Sequence, residues 1–285
     1  TDVVTASGTD DEGNPVSGSD DATVTVVAKL FKVYFPVLSS DINNTWNVSV
    51  GYEDLPFGSP LMDFDYNDLV VSIKGNLTFN QEIKTNLEKV NFAMIPEARG
   101  AEYDHEFHMF FPANIFGSDG TATLTIFDQN HNVFSTQSMP FIASADTNIL
   151  IFPKTSDIYP PMSNTYETQP HLLPQRTATL TIVFDTPFYF NLSAFVPKNE
   201  HGVGMFFDPY IKVINSGEQI SAGDSRMLVI LNSSWMWPEE HIRIDNVYPD
   251  TVYNPGPPPD VLFPPNWWLN YNTCVYGDGI PCPTQ

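Results

Sequence analysis

One design recurs along the chain: a short run of β-branched and aromatic side chains, fenced by proline, glycine, asparagine or aspartate. It occurs as ATVTVVAKLFKVYF (residues 22–35), LVVSIKGNLTF (Leu69–Phe79), KVNFAMIP (89–96), EFHMFFP (106–112), TATLTIFD (121–128) and NILIFP (148–153). It continues in TATLTIVFDTPFYFNLSAFVP (177–197), MFFDPYIKVI (205–214) and SRMLVILN (225–232). Runs this short, with apolar and polar residues alternating, read as strands; a helix needs a longer run at a period near 3.6. Only residues 81–88 suit a turn or two of helix. The 25 prolines, 21 phenylalanines and charged fraction of 16% suit strands joined by rigid loops. The sequence therefore predicts an all-β protein, a β-sandwich of jelly-roll type.

The fence between residues 152 and 176 is the longest, with five prolines and no periodicity. It reads as an ordered surface excursion, or as a linker between two lobes. The expected organisation is an N-terminal hairpin over 1–28, a first β lobe over 29–153, the linker over 154–176, a second lobe over 177–250 and a Pro/Trp-rich tail over 251–285. TATLTI occurs twice, at 121–126 and 177–182, which is a weak repeat because any half-buried strand can read this way.

The stretch YEDLPFGSPLMDFDYNDLVV (52–71) sets dense negative charge before an apolar strand. On an extended segment Asp63, Asp65 and Asn67 share one face, with Phe64 and Tyr66 on the other. No Lys or Arg lies between Lys32 and Lys74 to neutralise these groups. Unpaired neighbouring carboxylates repel one another, so a hard cation is a natural counter-charge. Calcium takes six to eight oxygens of this kind. The start D-x-D-x-N resembles an EF-hand loop, but its sixth position is Asp68 rather than Gly, its twelfth is Lys74 rather than Glu, and a strand follows. The competing reading is a solvated acidic loop with Asx turns and no ion.

The chain carries 34 acidic and 12 basic residues, a net charge of −22. That argues against nucleic acid and against anionic membranes as partners. No run of 18 apolar residues occurs, so no membrane-inserted helix is expected. The sequence opens in strand character, without a signal segment, and reads as a mature product or a piece of a longer chain. Cys274 and Cys282 flank a short loop containing Gly277, Gly279 and Pro281, and read as a disulfide formed in an oxidising compartment. Asn43, Asn47, Asn76, Asn191 and Asn232 lie in sequons, which permit glycosylation without demonstrating it.

Other motifs carry less. HEFH (105–108) has a spacing of three, and on a strand it sends His105 and His108 to opposite faces, unlike the helical zinc motif. His131, His171, His201 and His241 are isolated in sequence, and no G-x-S-x-G elbow exists. Trp235, Trp237, Trp267 and Trp268 could stack on sugars, but aromatics in Pro-rich segments are more often packing anchors. No catalytic set stands out, so no enzymatic activity is expected.

The acidic stretch resembles the signature of LruC-type domains, secreted bacterial and archaeal modules. Their pattern is an aromatic with Glu-Asp, a variable loop, Asp-aromatic-Asp-aromatic-Asn-Asp and an apolar strand. The similarity continues in EARGAEYDHEFHMFFP (97–112) and more loosely in FDPYIKVI (207–214) and LNSSWMWPEEHIRIDNVYPD (231–250). The resemblance implies an extracellular β-sandwich, a cation at the acidic motif, and Glu53, Asp54, Asp63, Asp65, Asn67 and Asp68 as its ligands. Residues 1–27 resemble instead the final hairpin of Ig-like repeats in long microbial surface proteins. Two strands without their sheet are marginal in water, so Val3, Val4, Val24 and Val26 call for a covering sheet in the same chain or a neighbouring molecule. The expected function is a structural subunit of an extracellular, secreted or cell-surface filament or matrix, a homopolymer built by strand addition and stabilised by calcium. The alternative is a calcium-binding adhesin, or a carbohydrate-binding module that meets surface glycans at the end of a repeat stalk.

Overall fold

The computed structural model describes residues 2–9, 15–22, 45–55, 59, 63–80, 86–166, 169–190, 206–221, 224, 226–230, 235–248, 252–254 and 260–262. The chain divides into two compact units, Thr1–Leu30 and Phe31–Gln285. The first is an antiparallel hairpin of β1 (Asp2–Thr9) and β2 (Pro15–Ala22), in register from Asp2↔Ala22 to Thr9↔Pro15. Among the described residues it has no third strand. Val3 and Val4 lie on β1; Val24 and Val26 lie outside the described residues, as do Cys274, Cys282, Asn43, Asn191 and Asn232.

The second unit is a β-sandwich. Its strands are β3 (Thr45–Tyr52), β4 (Leu69–Phe79), β5 (Asn86–Ala98), β6 (His105–Phe111), β7 (Gly120–Asp128), β8 (Val133–Phe141), β9 (Thr147–Phe152), β10 (Arg176–Tyr189), β11 (Asp208–Val213), β12 (Gln219–Ile220) and β13 (Met227–Ile230). The larger sheet runs β13-β3-β4-β5-β10-β7-β8, and the smaller runs β12-β11-β6-β9. All pairings are antiparallel. A short helix, α1 (Ile244–Val247), and a small hairpin, β14 (Val252–Asn254) with β15 (Asp260–Leu262), follow.

The two TATLTI runs turn out to be neighbours. β10 and β7 pair so that Leu180 faces Leu124, Thr181 faces Thr123 and Thr179 faces Thr125. An alternating hexapeptide set antiparallel to its own copy puts apolar residues together on one face and threonines on the other. Leu124, Ala178, Leu180 and Ile182 accordingly enter the main core, with Phe92, Phe111, Phe116, Phe141 and Phe184. On the opposite face Thr181 donates to Asn91 Oδ1 (2.9 Å), and Asn91 Nδ2 donates to Asn76 Oδ1 (2.6 Å), a polar ladder across three strands. Asn76 thus has its amide oxygen engaged in the sheet, and Asn47, on β3, keeps a buried Oδ1 without a hydrogen-bond partner.

Two expectations change. The sequence allowed two lobes, but β10, from beyond residue 176, lies between β5 and β7, and β13 pairs with β3. Strands from both sides of the Pro-rich segment build one core. The turn of helix considered for 81–88 is absent at 86–88, which begin β5; 81–85 lie outside the described residues.

The Pro-rich segment is an ordered excursion clamped at several points. Arg99 is buried and pairs in a bridge with Ser163, donates to Tyr159 O (2.8 Å) and to Tyr103 O (3.0 Å), and meets Asp104 at 3.3 Å. Asn164 Nδ2 donates to Glu97 O (2.7 Å). Trp237 Nε1 donates to Asn164 O (2.7 Å), which ties the excursion to the segment 235–248.

β4 explains why an apolar run follows the acidic stretch. Leu69, Val71 and Ile73 point into the main core. Val70 points the other way, into a second cluster with Phe64, Tyr66, Ala98, Ile230, Trp235, Ile242, Ile244, Val247 and Tyr248. The start of β4 is buried on both faces because the segment 235–248 packs over it.

Candidate metal centre

The acidic loop leaves the larger sheet at the end of β3 and returns at the start of β4. Pairing Tyr52 with Leu69, and donating Asp68 N to Tyr52 O (3.1 Å), fixes both ends of the loop at one place. Strand register alone therefore brings Glu53 and Asp54 beside Asp68. Asp54 N donates to Asp68 Oδ2 (2.5 Å), and Glu53 Oε2 accepts from Phe64 N (3.0 Å).

The stretch 63–67 is not the extended strand that its alternation suggested. Phe64 and Tyr66 both adopt φ 57°, the left-handed region, and both rings are buried in the second cluster. That conformation costs a side-chain-bearing residue about 1–2 kcal/mol. The surroundings hold it in place. Phe64 O accepts from Ile244 N (3.0 Å), Asp65 Oδ1 accepts from Asn67 N (3.2 Å), Asp65 Oδ2 accepts from His241 N (2.9 Å), and Asn67 Nδ2 donates to Pro238 O (3.0 Å). The consequence is that Asp65, Asn67 and Asp68 are buried along with the aromatics instead of facing solvent.

The structure gathers all six sequence-predicted residues. Ligand atoms of Glu53, Asp54 and Asp68 lie within 4.8 Å of one another, as do those of Glu53, Asp63 and Asp65. A third group, Asp63, Glu240 and His241, extends the cluster within the same distance. Glu53 and Asp63 each belong to two groups, so the carboxylates form one continuous set.

Three of its members escaped the sequence reading. Glu240 is 5% exposed and reaches the site from about 170 residues away in sequence. His241 stood among the isolated histidines; its ring nitrogen Nδ1 lies 2.7 Å from Asp63 Oδ2. His105 is fully buried and its Nε2 lies 2.8 Å from Asp54 Oδ2. His105 and His108 part company as strand spacing required: His108 stacks on Tyr210, with ring centroids 4.6 Å apart, and bonds Glu106. The one available signal was the PEEH run at 238–241, inside the looser of the resembling segments.

The electrostatics are those of a crowded anionic site. Burial pushes the Glu53 carboxyl well above its ordinary range, and Asp68, Asp65 and Asp63 add repulsion. Asp65 is raised by burial and then by Asp63 and Glu240, despite two backbone N–H donors. Asp68 is raised by burial and by Asp54 and Asp65. Glu240 is pushed up to about 8, by burial first and then by Asp68, Asp63 and Asp54. Coulomb repulsion and desolvation act here in the same direction.

The residues fit a cation on a separate observation. Asn67 Oδ1 and Glu240 Oε2 are buried and have no hydrogen-bond partner. Both converge on Gly100: a Cβ built there would overlap Asn67 Oδ1 and stand 2.5 Å from Glu240 Oε2. Buried oxygens without a donor are costly, and a glycine that leaves room between two of them makes a cradle. The donors are almost all oxygens, carboxylates plus one amide, which suits calcium or magnesium over zinc or copper. Asn67 and Glu240 at Gly100, with the carboxylates of Glu53, Asp54, Asp63, Asp65 and Asp68 in the adjoining groups, are the residues that would hold such an ion.

No family model and no curated protein matches the sequence. Among solved structures, a candidate lipoprotein from Bacteroides ovatus aligns with TM-score 0.48 and 11% identity, over 88% of this chain and 87% of that one. An arabinose-bound α-L-arabinofuranosidase aligns with TM-score 0.22 and 9% identity, over 55% of this chain but 27% of the enzyme. Neither likeness bears on the chemistry of the acidic cluster. Among the described residues no helix is long and apolar enough to cross a membrane.

The remaining aromatic candidates divide. Trp235 is 3% exposed in the second cluster, and Trp237 stands edge-on to it, with centroids 6.3 Å apart. This pair packs the segment 235–248 rather than presenting a flat platform to a sugar. Trp267 and Trp268 lie outside the described residues.

Proposed function

We propose that the protein is a structural subunit of an extracellular assembly, its sandwich pinned by calcium at the acidic cluster and its copies joined by strand addition, with no catalytic role. The observation that carries the calcium part is the convergence of Asn67 Oδ1 and Glu240 Oε2, both buried and unpartnered, on the cradle at Gly100 among raised carboxyls. The bound ion would add positive charge to a site where carboxylates outnumber the basic groups beside them, His241 at Asp63 and His105 at Asp54; the chain supplies the oxygens, excludes water and holds the loop. Its ligands come from the end of β3, the start of β4 and the segment 235–248, so one ion fastens three separate parts of the sandwich. Assembly is supported by the hairpin β1–β2, which forms its own unit and has no third strand among the described residues. A two-stranded sheet gains stability by adding to another.

Isothermal titration of chelator-treated protein with calcium tests the first part. Saturable binding at micromolar to millimolar calcium, weakened by Glu240→Gln, is expected; no heat of binding together with no metal by elemental analysis would refute it. Electron microscopy of the full chain tests the second, since head-to-tail addition yields open filaments. An adhesin at the tip of a stalk would bind calcium as well but remain single particles.

A further inference from the structure

The larger sheet ends in β8, and this edge differs from the others. β13 has four residues, all at least half-buried, and β12 has two. β9 has six, half of them buried. β8 has nine, of which only Phe141, its last, is buried. Its register with β7 runs from Phe127↔Val133 to Gly120↔Phe141, and among the described residues it pairs with no other strand. That register is broken at Phe134, which has no partner on β7, so the outward N–H and C=O groups form a regular open template over residues 135–139; Pro140, lacking an N–H, limits it at the far end.

Proteins protect such edges with Lys, Glu, bulges or covering loops. This chain carries a net charge of −22, yet VFSTQSMPF contains no charged residue. Val133 and Phe134 are each 62% exposed. Arg176 lies over the Phe134 ring at 3.9 Å from its centroid, and Asp128 accepts from Asn132 N (2.8 Å) just before the strand begins. The edge is long, neutral and partly apolar in a chain with ample acidic residues to guard it.

We infer that β8 is the acceptor edge of the assembly, and that its occupant is β1 from a second copy of this chain. This rests on the strand-addition reading above and names its surface. Three observations favour β1. It has eight residues against the nine of β8, long enough to span the open stretch. Its sequence DVVTASGT has one charge, at the very end, whereas the other hairpin strand, PVSGSDDA, carries Asp20 and Asp21. Its second side is unpaired among the described residues, so a β2-β1-β8 addition would complete three strands at once. The contact is heterologous, because donor and acceptor are different surfaces, and it propagates.

The test uses the full chain and two sets of variants. Ser135→Glu with Gln137→Glu sets two carboxylates on the open edge; both positions are exposed, so the melting temperature of the subunit should not change. Sedimentation should show assembly of the unmodified chain and a rise of about tenfold or more in the concentration the double variant needs. Thr5→Cys and Thr136→Cys chains, mixed and oxidised, should give a 5–136 cross-link between copies, identified by peptide mass. If the unmodified chain assembles and the double variant does so equally well, β8 is not the acceptor and strand addition occurs elsewhere. If 136–136 cross-links form in place of 5–136, two β8 edges pair symmetrically and β1 is not the occupant. A full chain that stays monomeric at all concentrations overturns both this inference and the assembly reading.

Discussion

Replacing Glu240 by Gln should act in opposite directions with and without calcium. Glu240 is 5% exposed, its Oε2 lacks a partner, and burial with the charges of Asp68, Asp63 and Asp54 raises its carboxyl from the ordinary 4.5 to about 8. A raised acid binds its proton more tightly in the folded than in the unfolded chain. Its contribution to stability is therefore full below pH 4.5 and is lost as the pH rises to about 8. At about 1.4 kcal/mol per pH unit the ceiling is on the order of 4–5 kcal/mol; screening and sharing among neighbouring carboxylates reduce it to about 2 kcal/mol. Glutamine removes that penalty. At pH 8 in chelator, Glu240→Gln should melt about 4–8 °C higher than the parent, and at pH 5 the difference should shrink toward zero. In millimolar calcium the sign should invert, because the variant loses a ligand, and a loss of affinity of about hundredfold or more removes about 2.7 kcal/mol or more of linked stability, which exceeds the gain of about 2 kcal/mol. Thermal unfolding followed by circular dichroism at the two pH values, with chelator and with calcium, measures all four numbers. If Glu240→Gln lowers the melting temperature in chelator at pH 8 as well, Glu240 is satisfied within the ion-free fold and the reasoning fails.

Further outcomes are open to direct measurement. Excess chelator should lower the melting temperature of the parent chain near neutral pH, and elemental analysis of untreated protein should find calcium above magnesium, since the smaller ion tolerates a flexible carboxylate cage less well. Gly100→Ala should cost about 1–3 kcal/mol and abolish calcium binding, because its methyl group overlaps Asn67 Oδ1; retained affinity would place the ion away from this cradle. Cys274 and Cys282 should resist alkylation in unreduced protein, and mass spectrometry finding two modified thiols would rule the disulfide out.

The strand pattern was legible where one face of a strand meets the core. β4 begins and ends where its alternation does, β7 begins one residue before its expected range, and β9 is shifted one residue toward the start. β8 was missed because neither of its faces is covered, so selection for apolar alternation is weak in VFSTQSMPF. β3 was missed for another reason: TWNVSVGY is bracketed by polar, acidic sequence. The acidic hexad announced itself through composition, and the fold brings its carboxylates close to one another. Its conformation did not follow, because alternation cannot distinguish an extended strand from a chain that enters the left-handed region at Phe64 and Tyr66. Glu240, His241 and His105 were beyond a local reading. They reach the site through tertiary pairing, by the packing of 235–248 over β4 and by the position of β6 in the opposite sheet.

The second apolar cluster and the acidic centre depend on one another, and that dependence can be measured. Trp235, Ile242, Ile244, Val247 and Tyr248 cover Val70, Phe64 and Tyr66, and so remove water from the carboxylates between them. Burial is the first cause of every raised carboxyl at the site, so the apolar cover itself creates the need for a counter-ion. In return the ion would tie Glu240 to the loop and hold the cover down. Two amides report on this contact: His241 N donates to Asp65 Oδ2 (2.9 Å) and Ile244 N donates to Phe64 O (3.0 Å). Calcium should slow hydrogen exchange at both far more than at Leu180, in the middle of the larger sheet, whose opening does not require the cover to lift. Trp235 is not among the proposed ligands, yet Trp235→Ala should cost about 3–5 kcal/mol and weaken calcium binding as well, because water re-enters the site. Equal protection of His241 and Ile244 in calcium and in chelator, with unchanged affinity in Trp235→Ala, would mean that the cover closes without the ion and that the two clusters are merely adjacent.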